Sequence, residues 1–377
     1  MHILELTGAV SLCAWIYLLI GRGCFWRIKA EPAAAANPPA KFVCAIIPAR
    51  NEEPVIGEAV RSLVCQGVKV IVVDDHSSDR TAAVAAQSGA TVVAAGPLPR
   101  GWTGKLWALS EGVKAAQQSH PDYYLFTDAD IVHAPGNVAG LVARAESSNL
   151  DLVSLMVKLR CRTFPERALI PAFVFFFFML YPPAWIADRR HKTAGAAGGC
   201  ILIRPAALER SGGIAAIRGE LIDDCALAKA VKPGGGVWLG VTEDTASIRD
   251  YTTFAEIRGM ISRTAFTQLR HSALLLAGTI AGMVIIYVAP PALLFTRNPI
   301  AAAAGLAAWI MMIIVYLPVL RFYRRSPFWA PLLPLVALFY MAATLDSAVR
   351  YWSGRGGVWK GRVQDVHEPG CYDEGIE

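Results

Sequence analysis

The chain predicts an α/β fold with a largely parallel sheet, flanked at both ends by membrane segments. Three observations carry this. The first is VIVVDDHSSDRTA at 70–82. Val70, Ile71, Val72 and Val73 form the β-branched run of a strand buried on both faces. Asp74 and Asp75 close it, and an alanine-rich helical pattern follows that Ser78 or Asp79 can cap. The second is YYLFTDAD at 123–130, another apolar run closed by carboxylates, Asp128 and Asp130. Open α/β sheets bind ligands at the carboxyl ends of their strands, so both acidic ends face a candidate site. The third is composition. Hydrophobic residues make up 54% and mean hydropathy is +0.40, too apolar for an ordinary soluble α/β domain.

Each element follows in chain order. The excess apolar residues begin with a block at 3–20, followed by Arg22, Arg27 and Lys29. It lacks a basic start and a small-residue cleavage site, so it reads as a retained anchor spanning 1–29. PAAAANPPA at 32–40 reads as a linker to a catalytic region of 30–270. Ala45 to Pro48 form the first strand, with Arg50 and Asn51 in the loop beyond it. Lys105 stands in a glycine-flanked loop before a helix, where a lysine pairs with a diphosphate as a point charge or is simply solvated. The block at 168–187 is punctuated by Pro171, Pro182 and Pro183. It reads as a segment lying in the membrane interface, with Tyr181 and Trp185 at headgroup depth, that brings a lipid to the site. Blocks at 273–295, 300–320 and 328–349 make a membrane region of 271–350, each long enough for a hydrocarbon core of about 30 Å. A basic tail, 351–377, completes the chain.

Several function classes are excluded. The eight cysteines show no CxxC pair and no zinc spacing. The net charge of +6 sits in clusters beside apolar blocks, which is a membrane-orientation pattern and not a nucleic-acid surface. Neither GxGxxG nor a Walker loop occurs. Asp128 and Asp130, one residue apart, suit a hard divalent cation, Mg²⁺ or Mn²⁺.

Six stretches in order then carry a family resemblance: AIIPARNEE (45–53), VVDDHSSDRT (72–81), GWTGKLWALSEG (101–112), TDAD (127–130), GGCILIRPAALERSGG (198–213) and ELIDDCALAKAVK (220–232). Together they resemble the family 2 glycosyltransferases with the GT-A fold. The GWTGK stretch and the membrane segments look most like the hopene-associated group, with carotenoid-type glycosyltransferases close behind. The resemblance implies a nucleotide-diphosphate sugar donor and a lipid acceptor. It implies that Asp75 contacts the nucleobase beside Pro48 and Arg50, that Asp128 holds the ribose, and that Asp130 holds the metal. It makes Asp224 the catalytic base and the reaction a single inverting displacement. A carboxylate is needed there because an acceptor hydroxyl is a poor nucleophile until its proton is taken. Asp223 and Asp224 stand where the family has Glu-Asp, and they also suit a helix start electrostatically. His133 is expected in a loop, with a metal-ligand role as the alternative. The family's Gln-x-x-Arg-Trp motif is matched only loosely, by Gln268 and Arg270. Arg270 and Arg263 stay as diphosphate candidates, and single transfer is favoured over polymer formation. Transfer to polyprenyl phosphate, and a non-catalytic nucleotide-sugar or lipid binder, remain open.

Basic clusters place the catalytic region in the cytoplasm of a multi-pass inner-membrane protein. Three full C-terminal spans would put Arg350, Arg355, Lys360 and Arg362 outside. Charge and parity conflict, so one block, 328–349, is expected to be re-entrant or interfacial.

Overall fold

The computed structural model describes residues 2–30, 41–359 and 362–363. The linker at 32–40, Lys360 and the tail beyond Val363 lie outside the described residues.

The strand runs fold as their composition requires. An eight-stranded mixed sheet has the order β3-β2-β1-β4-β7-β6-β8-β5. Its strands are β1 (Val43–Ala49), β2 (Lys69–Asp74), β3 (Thr91–Ala94), β4 (Tyr123–Phe126), β5 (Ile131–His133), β6 (Leu150–Lys158), β7 (Ile201–Ile203) and β8 (Gly236–Ser247). β3, β2, β1 and β4 run parallel. β7 is antiparallel to β4 and β6, β8 is parallel to β6, and β5 is antiparallel to β8. This is the GT-A, Rossmann-like arrangement. Strand alternation divides the core. Cys44, Ile46, Ile71 and Val73 face one layer, while Ala45, Ile47, Val70 and Val72 face the other. The helix Gly104–Gln117 approaches β1 and β2 through Gly112, where a Cβ would collide with Ile46 Cγ2 and lie 2.9 Å from Val73 Cγ2.

Among the described residues five helical segments are long and apolar enough to cross a membrane: His2–Gly21, Phe164–Ala187, Ala273–Leu293, Pro299–Phe322 and Pro327–Trp352. The first and fourth run parallel. Glu5 accepts a hydrogen bond from Asn298 at 2.8 Å, and Gly8 lies against Ala301 and Ala304. The third is antiparallel to them, with the Trp15 indole N–H on the Ile286 carbonyl.

The segment at 168–187 differs from expectation in its continuity. Pro171 does not interrupt it: the helix runs continuously over Phe164–Leu180 and breaks only at Tyr181 and Pro182. Nor does it lie free on a surface. Phe175 packs on Phe25 and Tyr316, and Phe176 on Tyr287 and Tyr340, so it is the hub of an aromatic cluster. The four consecutive phenylalanines leave no polar stripe, and neighbouring helices bury about half of the segment. The last apolar segment starts just beyond Arg324, which pairs with Glu243 of β8. It ends with Tyr351 stacked on His271, 4.0 Å between centroids, at the foot of the third segment. Both of its ends therefore lie beside the sheet domain. Asp346 within it accepts a hydrogen bond from Ser262 and pairs with Arg258 and Arg350.

Candidate active site

The carboxyl ends of β1, β2 and β4 converge as the strand register dictates. Asp75 N–H bonds the Ala49 carbonyl at 2.9 Å, so the β1 and β2 loops meet. They are cross-linked before any ligand arrives. Asn51 N–H donates to Ser77 Oγ, Ser78 N–H to Asn51 Oδ1, and Glu52 N–H to Thr81 Oγ1. Asn51 and His76 take left-handed φ of 51° and 54°, a strain these linked turns hold in place. Arg50 is drawn in over this loop: it donates to the Asp75 carbonyl at 2.5 Å and lies 3.6 Å from its carboxylate. Asp75 itself is buried, with His76 Nδ1 at 3.2 Å. The helix after Ser78 begins at Thr81, and the Asp79 carboxylate accepts the Thr81 N–H at 3.0 Å.

Across the cleft, Thr103 caps the helix Gly104–Gln117 by accepting from Leu106 N–H, which sets Lys105 in the first turn. Lys105 Nζ stands 3.1 Å from Asp128 Oδ1 and 3.1 Å from Asp223 Oδ2. Burial alone would lower its pKa, but Asp128, Asp223 and Asp224 outweigh that and hold it well above its usual range. Asp128 is pushed upward by burial and by Asp130 and Asp223, with Lys105 pulling against them. Asp223 and Asp224 open the helix Asp223–Val231. Asp224 accepts from Gly198 N–H at 2.8 Å and from Cys225 N–H at 2.7 Å. Burial and then Asp223 push its carboxyl up to about 6. Pro48, Lys105, Asp128, Gly198, Asp223 and Asp224 line one cleft over an apolar floor that includes Phe126, Ile201 and Leu227.

Asp130 lies to one side of this group. Ser247 donates to it at 2.5 Å and Arg249 stands at 3.3 Å, itself bonded to Glu52 at 2.8 Å. The chemistry of the donors fits a hard divalent ion, since Asp128 and Asp130 offer only carboxylate oxygens. Among the described residues no three His, Cys, Asp or Glu side chains gather into a cage.

One expectation changes here. His133 is not a loop residue: it belongs to β5 and is buried. Its Nε2 meets Thr127 at 3.0 Å and its Nδ1 meets Asn137 at 3.0 Å, so both ring nitrogens are engaged away from any metal. Burial lowers its pKa to about 3, which keeps it neutral. Arg270 is exposed on the turn after Gln268, at φ 53°, and makes no ion pair with the cleft carboxylates among the described residues. Gln268 does reach inward, accepting the Tyr181 hydroxyl at 2.8 Å. Arg249, Glu52 and Ser247 were missed by sequence reasoning. The only signal was an arginine immediately beyond the long strand β8, which looks like any strand-end charge.

Residues 44–212 match the family model described as glycosyl transferase family 2. The chain is 44% identical over 129 residues to 4,4'-diaponeurosporenoate glycosyltransferase of Staphylococcus aureus, covering 33% of this chain and 34% of that protein. It is 39% identical over 98 residues to an uncharacterized protein of Methanocaldococcus jannaschii, covering 26% of this chain and 39% of that one. The chain thus spans between 34% and 39% of the length of these curated relatives. Among solved structures it resembles mannosyltransferase PcManGT from Pyrobaculum calidifontis, in complex with GDP-Man and Mn2+. The TM-score is 0.55 at 16% identity, over 91% of this chain and 98% of that one, which is a likeness of fold.

Proposed function

We propose that this chain transfers a sugar, with inversion, from a nucleoside diphosphate donor to a hydroxyl on a lipid acceptor. The observation that carries it is Asp224. A carboxylate fixed by two backbone N–H groups at a helix start, with its pKa raised to about 6, faces the same cleft as Asp128. Such a group is a suitable general base near neutral pH. The acceptor O–H proton passes to Asp224 as the acceptor oxygen bonds the anomeric carbon. The anomeric carbon–oxygen bond to the diphosphate breaks, and its electron pair leaves with the nucleotide. Asp75, Pro48 and Arg50 shape the nucleoside end, Asp128 takes the ribose, and Lys105 the diphosphate. Asp130, with Asp128 beside it, would hold Mg²⁺ or Mn²⁺. When bound, that ion neutralises charge growing on the leaving diphosphate.

The acceptor class follows from the surroundings. The base lies one residue from Cys225, which meets the Ala196 carbonyl, and Gly195 abuts Tyr181 at the end of the aromatic hub helix. An apolar acceptor would reach the cleft along those helices. The likeness to an enzyme named for an isoprenoid acid agrees, and a hopanoid or related isoprenoid is the class to test first. We read the protein as multi-pass in the inner membrane, its cleft facing the cytoplasm beside Arg22, Arg27 and Lys29. The position of both ends of Pro327–Trp352 beside the sheet domain supports a last segment that enters and leaves on that face.

The test is incubation of the purified protein with UDP-glucose or GDP-mannose, Mn²⁺ and isoprenoid lipids, with products read by mass spectrometry. A glycolipid formed by the wild type and lost in Asp224→Asn supports the reading. Transfer only to a polyprenyl phosphate, undiminished in that variant, would replace it with the phosphate-acceptor reaction, because an acceptor anion needs no base.

A further inference from the structure

Lys105 does more in this geometry than wait for a diphosphate. Its ammonium bridges two loops that chemistry must keep distinct. Asp128 stands at the end of β4 on the donor side, while Asp223 precedes the base on the acceptor side, and Lys105 lies 3.1 Å from each. Gly198 closes the triangle. A point where its Cβ would sit is 3.3 Å from Asp224 Oδ2 and 3.4 Å from Lys105 Nζ, so Gly198 lies close against both base and ammonium. With a side chain only 20% exposed, Lys105 is enclosed by this arrangement.

We propose that Lys105 is a positioning residue that makes the base conditional on the donor: it rests between Asp128 and Asp223 in the free protein and moves onto the donor diphosphate when that binds. This deepens the reading of the same cleft as a glycosyltransferase site. A lysine point charge on a flexible stem suits the exchange, because a diphosphate offers it several oxygens where the carboxylates offer single contacts. The groups facing Asp224 are Lys105 from its helix, Asp223 and Cys225 from its own, the Gly198 N–H, and Tyr181. Lys105 is the only cation among these described neighbours. Drawing it away, and replacing it by phosphate charge, strengthens Asp224 as a base. Donor binding therefore raises the proton affinity of Asp224, which abstracts most strongly at pH above its shifted midpoint, when there is a sugar to transfer. With the donor absent, acceptor and water meet a weaker base.

The consequence can be read without turnover. Nucleotide-sugar diphosphates are diesters with no proton to exchange near pH 6, so any proton bound with them is the protein's. Titration calorimetry of the full chain with GDP-mannose and UDP-glucose, in two buffers of different ionisation enthalpy, measures that proton. At pH 6, close to the Asp224 midpoint, wild type is expected to take up about half a proton per donor, since displacing a charge within 4–6 Å moves a pKa by about one to three units. Asp224→Asn should bind donor with no uptake. Lys105→Met should also lose the uptake, because its base is already protonated, and Lys105→Arg should keep it. Asp223→Asn, nearly isosteric, serves should Lys105→Met not fold. It lowers the starting pKa and moves the pH of maximal uptake downward. Donor binding without proton uptake in wild type, or uptake that persists in Asp224→Asn, overturns the proposal. Failure of both nucleotide sugars to bind at all would instead overturn the glycosyltransferase reading on which it rests.

Discussion

Replacing Asp224 by asparagine tests the site most directly, because shape is kept while the proton acceptor is lost. Positioned bases contribute about 10²–10⁴ in rate, so transfer should fall by that factor while donor affinity stays within a few-fold. The stability effect has two opposed parts. Two backbone donors, Gly198 N–H and Cys225 N–H, each use one carboxylate oxygen. Asparagine has one acceptor oxygen, so one donor loses its partner at a cost of about 1–3 kcal/mol. Against this, the charge that burial and Asp223 oppose is gone. The carboxyl is raised in the folded state from its ordinary value of 3.8 to about 6, so the folded protein holds that proton more tightly. Its contribution to stability is present at acidic pH and is lost as pH rises through about 4 to 6. The variant should therefore unfold near the wild-type temperature at pH 7 and lack that part of the pH slope. In catalysis the sign is reversed, since the base works deprotonated. For wild type, kcat/KM should fall through a limb near pH 6, to about a tenth at pH 5, while kcat at saturating donor should show its limb about one to three units higher as Lys105 leaves the base. The assay is glycolipid formation from pH 4.5 to 8, with donor binding and thermal unfolding alongside. Turnover within tenfold of wild type for a hydroxyl acceptor would refute the assignment.

Three further outcomes are expected. Asp130→Ala should abolish Mn²⁺-dependent transfer and weaken nucleotide-sugar binding in the presence of the ion; full wild-type activity in EDTA would show that no metal is needed. Gly112→Val should destabilise the sheet domain by about 1–3 kcal/mol in denaturant unfolding, since its side chain would overlap Ile46 and Val73. A cysteine replacing exposed Ser353 in a cysteine-free background should resist an impermeant thiol reagent in intact cells and react after permeabilisation. Ready labelling in intact cells would mean that Pro327–Trp352 crosses the membrane.

The sheet was legible because its strands advertise themselves. Val70 to Val73 and Tyr123 to Phe126 are apolar runs ended by aspartates, and both became strands, the second with its Asp128 lining the cleft. Lys105, Asp128 and Asp224 come together in one cleft, Asp224 having been singled out by the family resemblance and not by any local chemistry. The parts that were not legible depend on distant chain segments. Arg249 reaches Asp130 over a sequence separation of 119 residues, and nothing local marks an arginine as the partner of a particular carboxylate. His133 looked like a loop residue because three residues make a poor strand signal, and only pairing with β8 defines β5. Pro171 reads as a breaker in isolation. Within a helix of seventeen residues enclosed by aromatic neighbours, packing outweighs the lost hydrogen bond.

The parallel contact between the first and fourth apolar segments has a consequence for how the molecule is made. Glu5 finds Asn298, and Trp15 finds the carbonyl of Ile286, only after some 270 to 290 intervening residues exist. Synthesis proceeds at about 5–20 residues per second, so the first helix spends on the order of tens of seconds without its partners. During that interval the whole sheet domain emerges and folds while tethered to a lone helix. Gly8, which later admits Ala301 and Ala304, presents only a bare notch to lipid. The bundle of apolar helices is thus completed last, beside a sheet domain already formed. A chain that stops short of the third segment should hold a folded sheet on a first helix that lacks both partners, and such a product is a natural substrate for membrane quality control.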